Sequence, residues 1–544
     1  MKWKILPKKS PDLVEQLLIN RGIKTAKEKE QFFHPELTDF EKDLNIPGIE
    51  KAQKRIAEAI KNNELIIVYG DYDVDGICGC AILYKALTSI GAKVLPYIPH
   101  REKEGYGLSR IGLEFAKSSL ATVVITVDNG IVAIPQAKFA KEIGLDLIIT
   151  DHHLIGKVKP DAYQIVHSTK MCGAAVAWCL VRGLIKKELE HEFLQFVSLA
   201  TVCDLMPLLG LGRAFVFEGL KILNRTTNLG LLALINESAI QMGNIGSYEI
   251  GHILGPRLNA MGRLEHAMDS LRLLCTKDPQ KARSLAKLLS ETNTTRQQMT
   301  TDAIEQAKLL IDHKKKIHIL TSHNWSVGII GLIAGRVCEE YLRPVIAISE
   351  GDTLSKGSAR SVDGVNIVEV IRKCQDLLID VGGHPRAAGF SILTKNIDGF
   401  KKRLEELTIT LPDEVEQVLE IEAEIENNKL TKGLVDDLAK FEPFGFGNPR
   451  PIFATYNMEV SDIRTVGDGK HLKFKVSPSR HPDPERAKRV EGEGSNSIDC
   501  IAFGMGELAT MLQNGQKIDF AYTVELDDFD GFEKIQLKVK DIKI

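Results

Sequence analysis

From Glu64 onward the chain repeats one pattern that leaves few folds open: a short apolar run, a polar cluster, then an amphipathic stretch. The runs are LIIVYG, KVLPYI, TVVITV, LDLIIT and YQIV, with a helical stretch through ILYKALTSIGA after the first. Alternation on this spacing argues for a parallel sheet with helices on both faces. Open sheets of that kind bind ligands in the crevice beyond the carboxyl ends of their strands. The residues just after each run therefore bear directly on function.

Three of the runs end in ligand-type residues. LIIVYG leads into Asp71, Asp73 and Asp75 of VYGDYDVDG, TVVITV into Asp128-Asn129-Gly130, and LDLIIT into Asp151-His152-His153. Three carboxylates on alternate positions would repel one another in a single pocket, and a divalent cation removes that repulsion. Hard oxygen ligands suit magnesium or manganese, and manganese also accepts an imidazole such as His152. Taken alone, GDYDVDG reads equally well as a solvated acidic turn. A lone histidine is usually a satisfied core residue, but two in succession after an aspartate at a strand end are harder to dismiss. A further acid, Asp204 in LATVCDLMPL, lies among apolar residues and must be paired, solvated or metal-bound. Together these sites predict a metal centre. Two cations bridged by carboxylates form a clamp for in-line displacement at phosphorus, one making hydroxide from water and both neutralising phosphoryl charge. The ligands alone also fit a peptidase-like dinuclear site.

Elsewhere the 544 residues predict several domains. Residues 1–45 read as a helical lead-in and 46–270 as the α/β catalytic domain. A polar, helix-favouring stretch makes 271–314 a connecting helix. Strands at IHILTS and VIAIS, with a helix through IIGLIAGRVCEEY, make 315–410 a second, smaller α/β domain. Short β-like runs with turn signals such as GDGK and DGF make 411–544 an all-β barrel, with SPSRHPDPERAKRVEGEGSNS as a loop. Net charge is −3, so basic groups for a polyanion would have to gather locally. Nine cysteines without a CxxC pair argue against a disulfide framework or structural zinc and suit a reducing cytoplasm. MKWKILPKKSPDLVEQ lacks the apolar core of a signal peptide, and no run reaches membrane-spanning length. Trp178 and Trp325 read as core.

GDYDVDG, VDNG, TDHH and the later CD together resemble the DHH phosphoesterase superfamily, and GGHPRAAGF (382–390) resembles the signature of its DHHA1 partner domain. GPRLNAMGRL, NTTRQQM, SVGIIGLIAGR, KGSARS, EPFGFGNPRPIF and HLKFKV, in the same order and spacing, resemble one branch, the bacterial RecJ-type single-strand-specific 5′ exonucleases. The likeness runs from about Ile46 to Ile544. It implies a parallel-sheet DHH domain joined by a long helix to an α/β DHHA1 domain, plus an OB-like barrel. It also implies 5′ to 3′ hydrolysis of single-stranded DNA in repair and recombination.

The resemblance carries over residue by residue. Asp71, Asp73, Asp128, His152 and Asp204 would hold two Mn2+ or Mg2+ ions; His153 would touch the scissile phosphate and Asp75 orient the loop. Many relatives carry a histidine two positions before the first aspartate. Here that position is Tyr69, a poor ligand, so one ion is expected to bind more weakly or take an extra water. Ser358 and Arg360, in a segment that looks like a turn, and His384 would hold a 5′ phosphate. The plainer reading of Arg360 is a surface arginine. Arg101, Tyr106, Arg257, Arg263 and Arg296 would contact the strand, although Tyr106 reads equally as a loop residue packed on its own domain and Arg296 as a solvated helix residue. Lys470, Lys473 and Lys475 would form part of the barrel's binding face. Single-stranded DNA is the implied partner of a monomer, with a single-strand-binding protein and a helicase as further candidates and no membrane. Two other functions stay open: an oligonucleotide or cyclic-dinucleotide phosphodiesterase, disfavoured by the extra β unit, and a non-catalytic replication scaffold, disfavoured by the full acid set.

Overall fold

A computed structural model describes residues 1–409, 416–478, 497–527 and 534–544. The chain divides into two compact units, one of residues 36–415 and the other of residues 1–35 with 416–544. The larger unit opens with five parallel strands: Leu65–Tyr69, Lys93–Tyr97, Ala121–Val127, Asp146–Asp151 and Gln164–His167. Their spatial order is second, first, third, fourth, fifth. The order reverses between the first and third strands, and a doubly wound sheet opens its ligand crevice at such a reversal. Side chains alternate across this sheet. Ile66, Val68, Val123, Ile125 and Ile148 pack under the helices Val74–Ser89 and Gly173–Val181. Ile67, Tyr69, Val124 and Ile149 pack under Arg110–Ser118 and Ile134–Glu142. Burial on both faces explains why these runs read as continuously apolar, and each buried Ile or Val stabilises by roughly 1.5–3 kcal/mol.

The connecting helix is shorter than the segment 271–314 foreseen for it. It spans Pro279–Leu309, with a separate helix, Met268–Cys275, before it. Asp278 caps it by accepting the N–H groups of Gln280 and Lys281, and Pro279 at the first position loses no hydrogen bond. At 1.5 Å per residue it runs about 46 Å. A mixed five-stranded sheet comes next, in the order Leu378–His384, Ala387–Leu393, Leu354–Arg360, Val345–Ser349, His318–Ser322. Ser358 and Arg360 thus lie at the end of a strand, not in a turn. Small inward residues (Ser355, Gly357, Ala359) alternate with outward ones there, a period-two signal hidden by its lack of bulk. Trp178 and Trp325 are core residues, and all nine cysteines are free.

The smaller unit corrects the reading of the amino terminus. Lys2–Ile5 is a strand paired in parallel with Val418–Ile421. Arg21 reaches Glu422 at 2.8 Å with both side chains largely buried, and its Nε donates to Asn448 Oδ1 at 2.6 Å. The first 35 residues are therefore integral to this unit, through pairings some 400 positions apart that no local pattern announces. Phe453–Val466, His471–Pro478, Ile498–Ala502, Lys534–Lys543 and Lys517–Asp527 pair in that cyclic order, and the last pairs back to the first. This is a closed five-stranded barrel, filled by Val460, Leu472, Phe474, Cys500, Phe520 and Leu537. The unit is not all-β, because Lys432–Ala439 is a helix. Lys473 and Lys475 share the outer face of their strand, as the two-residue period requires. The loop SPSRHPDPERAKRVEGEGSNS, the DGF turn and the boundary at 411 lie largely or wholly outside the described residues.

Candidate metal centre and arginine group

The acids meet at the reversal point. Asp71 follows the first strand, Asp128 follows the third, and His152 follows the fourth. Asp204 ends the helix Leu194–Cys203. Three overlapping groups could each hold a metal ion: Asp71 with Asp73 and Asp128; Asp75 with His152 and Asp204; and Asp128 with His152 and His153. Within each group the ligand-type atoms lie within 4.8 Å of one another.

Local geometry explains how so much charge is held together. Asp73 caps the Val74–Ser89 helix, its Oδ1 accepting from Asp75 N and Gly76 N at 3.0 and 3.1 Å. Both Asp75 oxygens accept backbone N–H groups, from Gly173 and Ala174 at 2.6 Å each, at the head of the Gly173–Val181 helix. Gly173 is required there, since a Cβ on it would sit 2.6 Å from the Cβ of Asp128. Asp128 itself adopts φ +63°, a left-handed conformation that Asp tolerates better than most residues.

Among the ligand-type side chains of the cluster, Asp71 Oδ1, Asp128 Oδ1 and His152 Nε2 are buried without a hydrogen-bond partner. His152 Nε2 lies 3.1 Å from Asp128 Oδ1 and 3.5 Å from Asp204 Oδ2, distances that place it among carboxylates without a hydrogen bond being made. Burying a carboxylate oxygen with no partner costs several kcal/mol, and a divalent cation is the group whose chemistry fits this donor set. Burial, then neighbouring acids, raises Asp71 and Asp128 well above the ordinary carboxylate range. The same causes push Asp204 to about 8. Burial pushes His152 down, so it presents a neutral nitrogen.

Asp151 escaped the sequence reading as a site residue, yet it organises the DHH segment. One oxygen accepts Ile131 N at 2.9 Å, while the other accepts His152 N, His153 N and His153 Nδ1 at 2.7, 3.1 and 2.8 Å. Burial alone would depress His153, but the Asp151 carboxylate outweighs it and holds the ring at about 9. His153 Nε2 then meets Tyr106 Oη at 3.1 Å, and that hydroxyl also lies 3.3 Å from the Asp128 carbonyl. The only hint in the sequence was adjacency to the two histidines. Tyr69 lies on the opposite sheet face, its hydroxyl bonded to Gly107 O and Ser109, so it takes no part in the cluster.

The basic candidates separate into two sets. Arg263 is pushed down to about 10, first by burial and then by the charges of Arg101, Arg296 and Arg360, so these four form one group. Arg101 stacks on Tyr72 at 4.8 Å, and Tyr72 packs edge-on against Tyr106. Arg360 Nη1 bonds Ser358 Oγ and the Ala359 carbonyl at 3.3 and 2.9 Å. Arg257 is instead turned to the Ile253 carbonyl and Ser290 Oγ. His384 is exposed and pairs with Ala387, which pairs with Arg360 on the next strand.

Sheet, connecting helix, second domain and barrel define a DHH–DHHA1 protein that carries an OB domain. Residues 65–201 match the DHH family N-terminal domain, 314–410 the DHHA1 domain and 421–541 the RecJ OB domain. The chain is 33% identical over 550 residues to the single-stranded-DNA-specific exonuclease RecJ of Bacillus subtilis, covering 98% of this chain and 68% of that protein. It is 34% identical over 449 residues to the Thermus thermophilus protein of the same name, covering 80% of this chain and 66% of that one. The chain therefore belongs to the RecJ family. A crystal structure of RecJ with Mn2+ from T. thermophilus superposes with a TM-score of 0.84 at 27% identity, covering all of this chain and 79% of that one. Another, of exonuclease RecJ bound to manganese, gives 0.61 at 33% identity over 68% of this chain and 96% of that one.

Proposed function

We propose that this protein is a divalent-cation-dependent exonuclease that hydrolyses single-stranded DNA from the 5′ end toward the 3′ end, in DNA repair and recombination. The observation that carries the reading is the convergence of Asp71 Oδ1, Asp128 Oδ1 and His152 Nε2, buried and without protein partners, at the sheet's ligand crevice. Asp71, Asp73, Asp128, His152 and Asp204 would hold two Mn2+ or Mg2+ ions. When bound, these ions neutralise phosphoryl oxygens and acidify the attacking water. Asp75, with both oxygens committed to Gly173 and Ala174, braces the loop rather than the ions.

Asp151 fixes the Nδ1–H of His153 and leaves Nε2 to exchange the Tyr106 hydroxyl for an oxygen of the scissile phosphate. Tyr106, half exposed, offers its ring to a base, a contact worth roughly 1–3 kcal/mol. Arg101, Arg263 and Arg296 line the strand's phosphates. Arg360 and Ser358 take the terminal 5′ phosphate, with His384 near the rim, which gives the reaction its polarity. Arg257, committed to a carbonyl, supports the fold more than the substrate.

A small phosphodiesterase would have no use for the barrel, and a scaffold would not retain the complete donor set. Among the described residues no helix is long and apolar enough to cross a membrane. We assign the cytoplasm as compartment, since nine free cysteines suit a reducing milieu, and a monomer fed by a helicase and a single-strand-binding protein. The test is purified protein with 5′- and 3′-labelled single strands, with and without manganese. The 5′ label should be released first and only with the cation; first release of the 3′ label, or equal rates on blunt duplex, would overturn the reading.

A further inference from the structure

One short helix, Gly255–Leu264, links the cation-holding turn to the arginine of the second domain. On one side, Asn259 Oδ1 accepts Val74 N at 3.1 Å. Asp73 already takes the next two N–H groups of that helix head, so Asn259 satisfies the remaining donor and holds the acid-bearing turn in place. Three positions on, backbone meets backbone: a Cβ on Gly262 would lie 2.3 Å from the Tyr72 carbonyl oxygen. Asn259 and Gly262 share one helix face.

The next residue, Arg263, is held as tightly on the second domain. Arg263 Nη1 donates to the Gly328 carbonyl at 3.2 Å, and a Cβ on Gly328 would lie 1.9 Å from the Arg263 carbonyl oxygen. Two residues later the chain enters the helix Ile330–Tyr341, where a Cβ on Gly331 would lie 3.2 Å from Ser358 Oγ and 3.3 Å from Arg360 Nη2. At both contacts, then, main-chain atoms approach where no side chain fits, and such contacts cannot relax by rotamer changes.

We propose that the last turn of the Gly255–Leu264 helix is a spacer. Gly262 seats it on the cation-holding turn, and Gly328 seats the adjoining Arg263 on the phosphate-holding domain. Together the two contacts fix how far from the strand's terminus the bond is cut. The proposal rests on the exonuclease reading above. Asn259, Gly262 and Gly328 are positioning residues, and their effects should be separable.

The experiment compares full-length variants by Mn2+ calorimetry without DNA, and by rate and product length on 5′-phosphorylated against 5′-hydroxyl strands. Gly328→Ala should lower the preference for the phosphorylated strand about tenfold and broaden the product lengths, with Mn2+ affinity unchanged. Gly262→Ala should weaken Mn2+ about tenfold. Two variants add no bulk and decide the matter where an alanine at glycine prevents cooperative melting. Ser326→Ala removes the hydroxyl that accepts Gly328 N at 3.2 Å, and should lose part of the 5′-phosphate preference. Asn259→Ala should weaken Mn2+. Folded Gly328 or Ser326 variants with wild-type preference and product length overturn the spacer, as do variants on both sides of it that move both readouts together. A wild-type protein that fails to cut from the 5′ end overturns the exonuclease reading instead, before any variant is compared.

Discussion

The acids and the arginines of the larger unit are held by opposite means. Asp71, Asp128 and His152 extend from strand ends of one sheet, and backbone N–H groups fix Asp73, Asp75 and Asp151 around them. Arg101, Arg263, Arg296 and Arg360 come from a loop, two helices and a strand of the second domain; the last three bond to carbonyls and small polar side chains, and Arg101 stacks on Tyr72. None of the four makes an ion pair with a carboxylate among the described residues. The acids are thus held by backbone hydrogen bonds around one point and await compact charge of opposite sign. The arginines are spread out and await an extended anion. Geometry does the chemistry in one region, and charge selects and steers substrate in the other.

The sharpest way to break this contrast is Asp128→Ala. Cleavage should fall by about 1,000-fold or more, because a shared ligand is lost. Cation-free melting temperature should rise, because buried repulsion is relieved. Manganese-dependent cleavage surviving in a folded Asp128→Ala protein would remove the acid cluster from the site.

Arg360→Ala should act more mildly, slowing 5′-phosphorylated strands about 10–100-fold, mainly through KM, with cation affinity intact. The slope of log kcat/KM against log salt should flatten by about 0.7 for the lost phosphate contact. An unchanged slope would return Arg360 to an ordinary surface role.

The smallest effect is in pH. Asp204, raised from an ordinary value near 4 to about 8 when no cation is bound, contributes stability that is complete below pH 4 and lost as pH climbs through 8. Without cation, the melting temperature should therefore fall between pH 6 and 9. Mn2+ should restore it most at the upper end and release protons on binding, read by calorimetry in buffers of different ionisation heat. A cation-free melting temperature that climbs over that range would contradict the shared burial of these acids.

The catalytic sheet was legible because each strand is buried on both faces and reads as an unbroken apolar run ending in its ligand. Asp204 was legible as an acid among apolar residues, though it ends a helix rather than a strand. Asp151 was seen but its role was not, because four hydrogen bonds to one carboxylate are a property of folded backbone. The strand bearing Arg360 was missed because small residues carry little hydrophobic period. Tyr69 was read as a poor ligand where relatives carry a histidine, and sheet alternation sends its ring to the other face. Grouping Arg257 with the other arginines followed family position alone, and its hydrogen bonds point elsewhere.

The pairing of Lys2–Ile5 with Val418–Ile421 bears on how the molecule is made. A ribosome adding roughly 5–20 residues per second leaves the amino-terminal segment waiting about 20–80 s for its mate. The intervening 380 residues hold a complete core of their own. The order of assembly of the two units is therefore set: the larger unit can be finished while Lys2–Ile5 still has nothing to pair with, and the barrel unit closes after it.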